Sequence, residues 1–207
     1  MAAAIAVFAF YFLLAFLHAP RAGGGWSWDF ANALGLAAYC GLLVLMFGVR
    51  GANARKLHEI IGYAALALVF AHGLWLILSE PVLSNYFRLS APLYMWSGVI
   101  ALLAVIYLVV FSRRADRKLV HKDYESFRRW HLYISYLALA AGGYHILASG
   151  LYFSTRLEVG AAIAGVAALI VFRKKIRADL SRPPNLAAFA GVTLLSAIVF
   201  LLVRNVV

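Results

Sequence analysis

Long apolar runs alternate with short polar segments along the chain, and this pattern predicts seven helices. A helix needs about 20 apolar residues to cross the hydrocarbon core of a bilayer. Runs close to that length, of which the first and sixth are short, occupy residues 3–18, 29–49, 58–78, 93–112, 128–149, 157–172 and 185–203. The pattern therefore predicts an all-α membrane protein, in which a bundle of six helices is followed by a seventh, C-terminal transmembrane helix.

Composition supports a bilayer as the surroundings of the chain. Of its 207 residues, 65% are apolar and 13% are charged, which lies outside the range of soluble globular proteins. We expect one membrane domain over residues 1–182 and the additional helix within 183–207. No segment between the apolar runs is long enough to fold as a flavin or nicotinamide domain, so we expect any soluble electron donor to be another chain. The single cysteine, Cys40, lies within the second run and is interpreted as a packing residue.

The net charge of +11 is divided unevenly between the two ends of the predicted helices. Of the 19 Lys and Arg residues, 15 lie in residues 50–56, 113–129 and 173–182, which follow the second, fourth and sixth helices. The positive-inside rule places these segments in the cytoplasm. We therefore expect an integral multipass protein of the plasma (inner) membrane, with a cytoplasmic N-terminus and an external C-terminus. Because the charge follows the membrane topology, it does not indicate a nucleic-acid partner.

Four histidines stand inside apolar runs at a repeated spacing. His58 and His72 lie fourteen residues apart on the third helix, and His131 and His145 lie fourteen residues apart on the fifth. Fourteen helical steps return to within roughly 40° of the starting direction and rise about 21 Å. Each helix therefore presents two imidazoles on one face, near opposite sides of the membrane.

The topology predicts how these histidines pair. The third and fifth helices both run outwards, so His58 should meet His131 near the cytoplasmic side (the inner pair) and His72 should meet His145 near the outer side (the outer pair). Two stacked His/His pairs are the arrangement that holds two haem irons by axial nitrogens. A proton relay, copper sites and plain contacts between helices remain alternatives, because intramembrane histidines serve these purposes too.

The residues around the histidines fit a haem protein but have simpler explanations as well. Arg55, Arg128 and Arg129 lie within about a turn of the inner histidines and could neutralise haem propionates, although topology alone explains basic residues there. Four glycines on the same two helices allow the close approach of a flat macrocycle or ordinary helix packing: Gly62, Gly73, Gly142 and Gly143. His121, in the basic loop before the fifth helix, is expected to be solvated.

The segments from Arg55 to Trp75 and from Phe127 to His145 resemble the ferric reductase-like transmembrane domain superfamily. This superfamily includes NADPH oxidases, ferric reductases and the bacterial haem-binding subunit MsrQ. The resemblance implies a six-helix haem-binding bundle, whose third and fifth helices carry the ligands of two b-type haems. It assigns the inner haem to His58 and His131, and the outer haem to His72 and His145. It also implies electron flow from a cytoplasmic flavin to an acceptor outside.

Two departures from the family pattern bear on function. NADPH oxidases and ferric reductases continue after helix six into FAD and NADPH domains, whereas this chain continues into Pro183, Pro184 and the seventh apolar run. Its length and the segment from Gly62 to His72 look more like MsrQ, the partner of a periplasmic methionine sulfoxide reductase. MsrQ, however, has a basic residue where this chain has His58, and a histidine there completes the set for two haems.

The sequence therefore predicts a di-haem cytochrome b, an electron-transfer subunit of an oxidoreductase. The expected electron donor is a cytoplasmic flavin reductase or a quinol, so that flavin or quinone would be supplied by or shared with a partner. The expected acceptor is Fe(III), oxygen or a periplasmic protein. One alternative is an MsrQ-like haem subunit, and another is a haem-free proton relay or transporter in which Glu59 acts beside His58.

Overall fold

The computed structural model describes residues 2–16, 25–47, 52–80, 88–112, 121–173 and 186–206. Of these residues 87% are helical and none forms a strand. They form seven helices: α1 (Ala2–Phe16), α2 (Trp26–Leu45), α3 (Ala52–Ser79), α4 (Leu93–Val110), α5 (Tyr124–Ala148), α6 (Arg156–Phe172) and α7 (Leu186–Val206). The prediction of an all-helical protein with seven helices is confirmed. The boundary expected between residues 182 and 183 and most of the basic residues after the fourth and sixth helices lie outside the described residues.

Two helices begin four or more residues earlier than the apolar pattern indicates. The apolar run of α3 starts at residue 58, yet the helix starts at Ala52, because Lys and Arg are good helix formers and extend it beyond the apolar part. For α5 the start is set by Asp123, whose side chain accepts a hydrogen bond of 2.7 Å from the backbone N–H of Ser126. Such an N-cap satisfies a backbone donor that the first helical turn leaves unpaired. The inner histidines consequently lie inside regular helix and not at its first residue.

Four of the described helices are long and apolar enough to cross a membrane, namely α2, α3, α4 and α7. Large apolar side chains are exposed along these helices, including Phe70, Leu74 and Leu78 on α3 and Leu194 and Leu195 on α7. Exposed apolar surface of this extent is unfavourable in water and favourable against lipid. The helices are thus consistent with a membrane protein. That α1, α5 and α6 also span the bilayer stays a prediction.

The core of the molecule surrounds α2. This helix has the largest buried share of the four candidate spans, and Cys40 and Leu43 on it are completely buried. Close packing joins α2 to α3 and α4 to α5, while α7 packs on α1 and α2. Phe8 of α1 and Phe200 of α7 are buried in the same core cluster. The interpretation of Cys40 as a packing residue agrees with this position.

A buried polar cluster joins three parts of the chain at one end of the bundle. Asp29, in the first turn of α2, is fully buried and accepts hydrogen bonds from the Tyr152 hydroxyl (3.0 Å), Arg204 Nε (2.9 Å) and Asn205 Nδ2 (3.0 Å). Tyr152 lies between α5 and α6, and the other two donors lie at the end of α7. The start of α2 and the end of α7 therefore share one end of the bundle, so these two helices are antiparallel.

Candidate functional site: two stacked histidine pairs

The structure brings the four histidines of α3 and α5 together in the predicted pairs. The ring centroids of His58 and His131 are 6.1 Å apart with an angle of 45° between the ring planes. Those of His72 and His145 are 6.2 Å apart with an angle of 77°. The fourteen-residue spacing separates the two pairs by about 21 Å along the helices. The result is two layers of facing imidazoles, one near each end of the bundle.

The pairs lie across a gap between α3 and α5. Each of these helices packs closely on a different neighbour, α3 on α2 and α5 on α4, and they have little backbone contact with each other. On α3, Gly62 follows His58 by one turn on the same side of the helix, and a side chain added there would meet nothing within 4 Å. A side chain at Gly73 would also meet nothing within 4 Å, but this residue directly follows His72 and points about 100° away from it. The two helices thus leave space around the inner pair, where the imidazoles approach each other.

Backbone carbonyl groups of the neighbouring helices hold both rings of the outer pair. His72 Nδ1 lies 2.8 Å from the carbonyl oxygen of Ala31 on α2, and His145 Nδ1 lies 2.9 Å from that of Tyr94 on α4. A carbonyl oxygen can only accept, so each Nδ1 must carry the proton that it donates. In a neutral imidazole this leaves Nε2 unprotonated, on the side of the ring that points away from the carbonyl group. Both outer histidines are thus arranged as Nε2 ligands.

In the inner pair, the acceptor near His131 is a hydroxyl group. Ser112 Oγ, just after α4, lies 3.3 Å from His131 Nδ1. The same hydroxyl donates its proton to the carbonyl oxygen of Leu108, so it is left to accept from the imidazole. This bond is longer than those of the outer pair and its acceptor is weaker. His131 therefore has the same preferred tautomer as the outer histidines, held less firmly.

The distances within the pairs suit a metal ion held from two sides. Two imidazoles that bind one ion from opposite sides, each through a bond of about 2.0 Å, have ring centres about 6.3 Å apart. The observed 6.1 and 6.2 Å agree with that value. Among the described residues no group of three or more His, Cys, Asp or Glu side chains could surround a metal ion. Each layer thus offers two imidazoles that face each other, a donor set that a haem iron can take from a protein.

The sequence-predicted cationic residues all lie at the inner end, and all are exposed. Arg55 stands one turn before His58 on α3, and Arg128 and Arg129 stand within one turn before His131 on α5. Three cations therefore lie at the surface of the inner end, where they are accessible to an anionic group. Their predicted role towards haem propionates stays a prediction.

The two glycines predicted on α5 have a different environment from those on α3. A side chain at Gly142 would meet the Tyr39 ring at 3.4 Å, and one at Gly143 would meet the Tyr39 hydroxyl at 2.8 Å. Tyr39 belongs to α2 and its hydroxyl donates a hydrogen bond to the carbonyl oxygen of Leu139 (3.3 Å). At these two positions the second explanation, ordinary packing of small residues between helices, is the one that fits.

The expectation that His121 is solvated is wrong. Its side chain is 8% exposed, and its Nε2 lies 3.4 Å from the hydroxyl of Tyr107 near the end of α4. The imidazole centroid is 5.5 Å from that of Phe127, whose ring in turn lies 5.4 Å from His131. Phe127 and Tyr107 cover His121. The basic residues around it in the sequence suggested a solvated loop and did not indicate this contact.

An apolar cavity of about 570 Å³ lies next to the outer pair, between α1, α2, α5 and α6. Gly143 and Tyr144, which directly precede His145, contribute to its wall. The hydroxyls of Tyr11 and Tyr39 also line it, but they donate to the backbone carbonyl groups of Ala162 and Leu139. The cavity wall therefore presents mainly hydrocarbon to an occupant.

Sequence reasoning missed the residues that orient the histidines. The carbonyl groups of Ala31 and Tyr94 and the hydroxyl of Ser112 lie 41, 51 and 19 residues from the histidines they bind. A backbone acceptor has no side-chain signature, and a lone serine at a helix end is common. No local pattern could therefore have identified them.

Comparison of the chain with protein-family models, with curated proteins and with solved structures finds no match in any of the three. Functional reasoning therefore starts from the arrangement of the two histidine pairs.

Proposed function

We propose that this protein is a di-haem b-type transmembrane cytochrome of the ferric reductase-like type, which passes electrons across the membrane. The observation that carries the proposal is the spacing of the two imidazole pairs, 6.1 and 6.2 Å between ring centres, in two layers of a helical bundle. Other uses of intramembrane histidines do not require two pairs at the distance of a bis-imidazole metal ion.

The residues have distinct roles in this proposal. His58 and His131 hold the inner haem, and His72 and His145 hold the outer haem. When bound, the haems supply the one-electron redox chemistry. The chain would supply two imidazole ligands to each haem and would set the depth and the separation of the two sites.

The arginines at the inner end have an electrostatic role. Haem propionates are anions, and an anion within an apolar bundle is stable only when it is paired or hydrated. Arg55 and Arg128 are exposed, and each precedes an inner histidine by three residues on a neighbouring part of the helix surface, so they could pair with inner propionates without being desolvated themselves. Arg129 precedes His131 by two residues and points to the other side of α5.

The direction of electron flow follows from the predicted topology. The expected donor is a reduced cytoplasmic flavoprotein or a quinol at the inner end, and the expected acceptor is Fe(III), oxygen or a periplasmic oxidoreductase at the outer end. Within the family, an MsrQ-like subunit that serves a methionine sulfoxide reductase is the second candidate. The position of His58, 6.1 Å from His131, favours the two-haem form over one that has a basic residue there.

A haem-free proton relay has less support in the structure. That alternative depends on Glu59 acting beside His58. The Glu59 side chain is exposed, and its Oε1 accepts a hydrogen bond of 3.4 Å from the hydroxyl of Tyr63, one turn further along α3. Adjacent helical residues point about 100° apart, so Glu59 faces away from the gap in which the histidines meet.

Haem stoichiometry tests the proposal. We expect a pyridine haemochrome assay on detergent-purified protein to give two b haems per chain in the wild type, and one in each of His58→Ala and His72→Ala. His121→Ala is the matched control, because it removes a buried histidine outside both pairs, and it should retain two haems. One haem that His58→Ala leaves in place would point to the MsrQ-like form. Well-folded protein without haem would refute the proposal.

A further inference from the structure

Two glycines occupy equivalent places beside the outer pair. Gly35 of α2 and Gly98 of α4 each stand four residues after the carbonyl group that the histidine binds, at Ala31 and Tyr94. A Cβ at Gly35 would lie 2.9 Å from His72 Nδ1, and a Cβ at Gly98 would lie 2.8 Å from His145 Nδ1. In both helices, therefore, only a hydrogen atom fits between the helix backbone and the imidazole that reaches its carbonyl group.

The same arrangement, a carbonyl acceptor followed four residues later by a glycine, occurs a third time with a tyrosine in place of a histidine. The Tyr39 hydroxyl binds the carbonyl oxygen of Leu139, and a Cβ at Gly143, four residues later, would lie 2.8 Å from that hydroxyl. A carbonyl group of residue i in a helix lies close to residue i+4, so a side chain at i+4 shields it from a neighbouring helix. Glycine at that position exposes the carbonyl oxygen as an acceptor.

We propose that Gly35 and Gly98 are positioning residues that set the tautomer and the basicity of the outer haem ligands. Because these glycines have no Cβ, His72 and His145 can reach the backbone carbonyl groups. Each Nδ1–H then donates a hydrogen bond to a carbonyl oxygen, and each Nε2 is left unprotonated and able to bind iron. When the ring nitrogen that does not bind the metal donates a hydrogen bond, the imidazole becomes a stronger electron donor to its metal. The part of this inference that concerns iron rests on the function proposed above.

The two sites differ in this respect. At the inner pair, the described acceptor near His131 is a serine hydroxyl at 3.3 Å, whereas at the outer pair two carbonyl groups lie at 2.8 and 2.9 Å from the histidines. The effect of a hydrogen bond on ligand basicity is therefore expected mainly at the outer site.

Close packing of helices is the competing explanation for the two glycines, and the chain offers a matched control for it. Gly41 also lies on α2 and faces α3, where an added Cβ would meet Ala65 at 3.7 Å and Ile61 at 3.9 Å, which is ordinary contact. Gly41→Ala thus alters the same helix pair as Gly35→Ala without touching a histidine. Because an imidazole can rotate about two side-chain bonds, we expect Gly35→Ala and Gly98→Ala to fold.

The first test uses haem-free protein labelled with ¹⁵N at histidine. Imidazole ¹⁵N chemical shifts in the wild type should show the Nδ1–H tautomer at His72 and His145, assigned with the two His→Ala variants. Gly35→Ala should remove that signature from His72 alone, and Gly98→Ala from His145 alone, while Gly41→Ala leaves both unchanged. Nε2–H tautomers in the wild type would overturn the proposal without the need for any variant.

The second test is potentiometric titration of the haem-loaded protein. The component lost in His72→Ala identifies the outer site, and Gly35→Ala and Gly98→Ala should move that component alone to a more positive midpoint potential. Equal behaviour of Gly35→Ala and Gly41→Ala would overturn the positioning role. If the tautomers change as expected in protein that binds no haem, the positioning role stands and the proposed cytochrome function fails.

Discussion

Tyr39 of α2 lies against α5 at the point where Gly143 leaves room for its hydroxyl. The hydroxyl donates to the carbonyl oxygen of Leu139, and the next ring atom, Cζ, would lie 3.5 Å from a Cβ at residue 143. An added Cβ at residue 143 would therefore overlap the Tyr39 hydroxyl oxygen but not the ring. This contact allows a test, independent of any cofactor, of whether a glycine four residues after a carbonyl group exposes that group as an acceptor.

We predict that the effect of Gly143→Ala depends on residue 39. In the wild-type background the added methyl group overlaps the Tyr39 hydroxyl, and such overpacking destabilises by about 1–3 kcal/mol. In Tyr39→Phe the overlap is gone, so the same substitution should be neutral or stabilising, since alanine is favoured over glycine in a helix by about 0.5–1 kcal/mol. Thermal midpoints in detergent at one scan rate measure both effects. Equal losses in the two backgrounds would contradict the prediction.

At the residue scale, the sequence predicted the histidines but not the groups that orient them. The spacing of His58, His72, His131 and His145 is a local property of two helices, and helix geometry turns it into two layers. The acceptors at Ala31 and Tyr94 belong to other helices and use their backbone, so they become identifiable only when α2 and α4 are in place.

The seventh helix is attached to the bundle by a buried ion pair. Arg204 Nε lies 2.9 Å from Asp29, and the side chains are 8% and 0% exposed. The Arg204 guanidinium also lies over the Tyr152 ring, 4.7 Å from its centroid. Burial, reinforced by the charge of Asp29, raises the pKa of Tyr152, so its hydroxyl stays protonated and continues to donate to Asp29. This cluster holds the end of α7 against the start of α2 and so stabilises the position of α7 in the bundle.

We predict that Asp29→Asn and Arg204→Met each destabilise the protein more than the double substitution does. Removing one partner of a buried pair leaves the other charge unpaired, which costs about 3–5 kcal/mol, whereas replacing both partners is often nearly neutral. The asparagine can still accept from Tyr152. The measurement compares the thermal midpoints of the two single variants and the double variant with that of the wild type.

Arg156→Met is the matched control for this cycle, because it removes an exposed arginine at the start of α6. Its thermal midpoint should stay close to that of the wild type, as surface substitutions usually change stability little. Additive losses for Asp29→Asn and Arg204→Met would show that the two side chains do not form the coupled pair.

At the scale of elements, the helices were predictable and their attachments were not. A lone Asp29 at the edge of an apolar run reads as an N-terminal helix residue, and Arg204 reads as an interfacial anchor. Their contact spans 175 positions of the chain and depends on α7 folding back against α2.

The whole molecule has two distinguishable ends. One contains the start of α2, the end of α7 and the outer histidine pair, and the other contains the inner pair with its arginines. Trp75, near the end of α3, donates to Ser27 at the start of α2 (3.0 Å), so α3 and α2 are antiparallel as well. The distribution of Lys and Arg predicts that the end with the inner pair faces the cytoplasm.

Labelling of introduced cysteines should verify this orientation. In a Cys40→Ala background, Arg88→Cys and Arg156→Cys at one end of the bundle should react with a membrane-impermeant maleimide in intact spheroplasts. Lys122→Cys at the other end should react only after permeabilisation. All three positions are exposed, so differences in reactivity report the side of the membrane. The reverse pattern would invert the predicted topology and the direction of electron flow.

The sequence by itself determined the helices, their order and the histidine spacing, because each depends on local periodicity or on composition. The tertiary structure alone decided that His121 is buried, that Asp29 binds α7, and that the outer histidines donate to carbonyl groups beside Gly35 and Gly98. These features depend on which helix faces which, and that choice is made by packing between residues far apart in the chain.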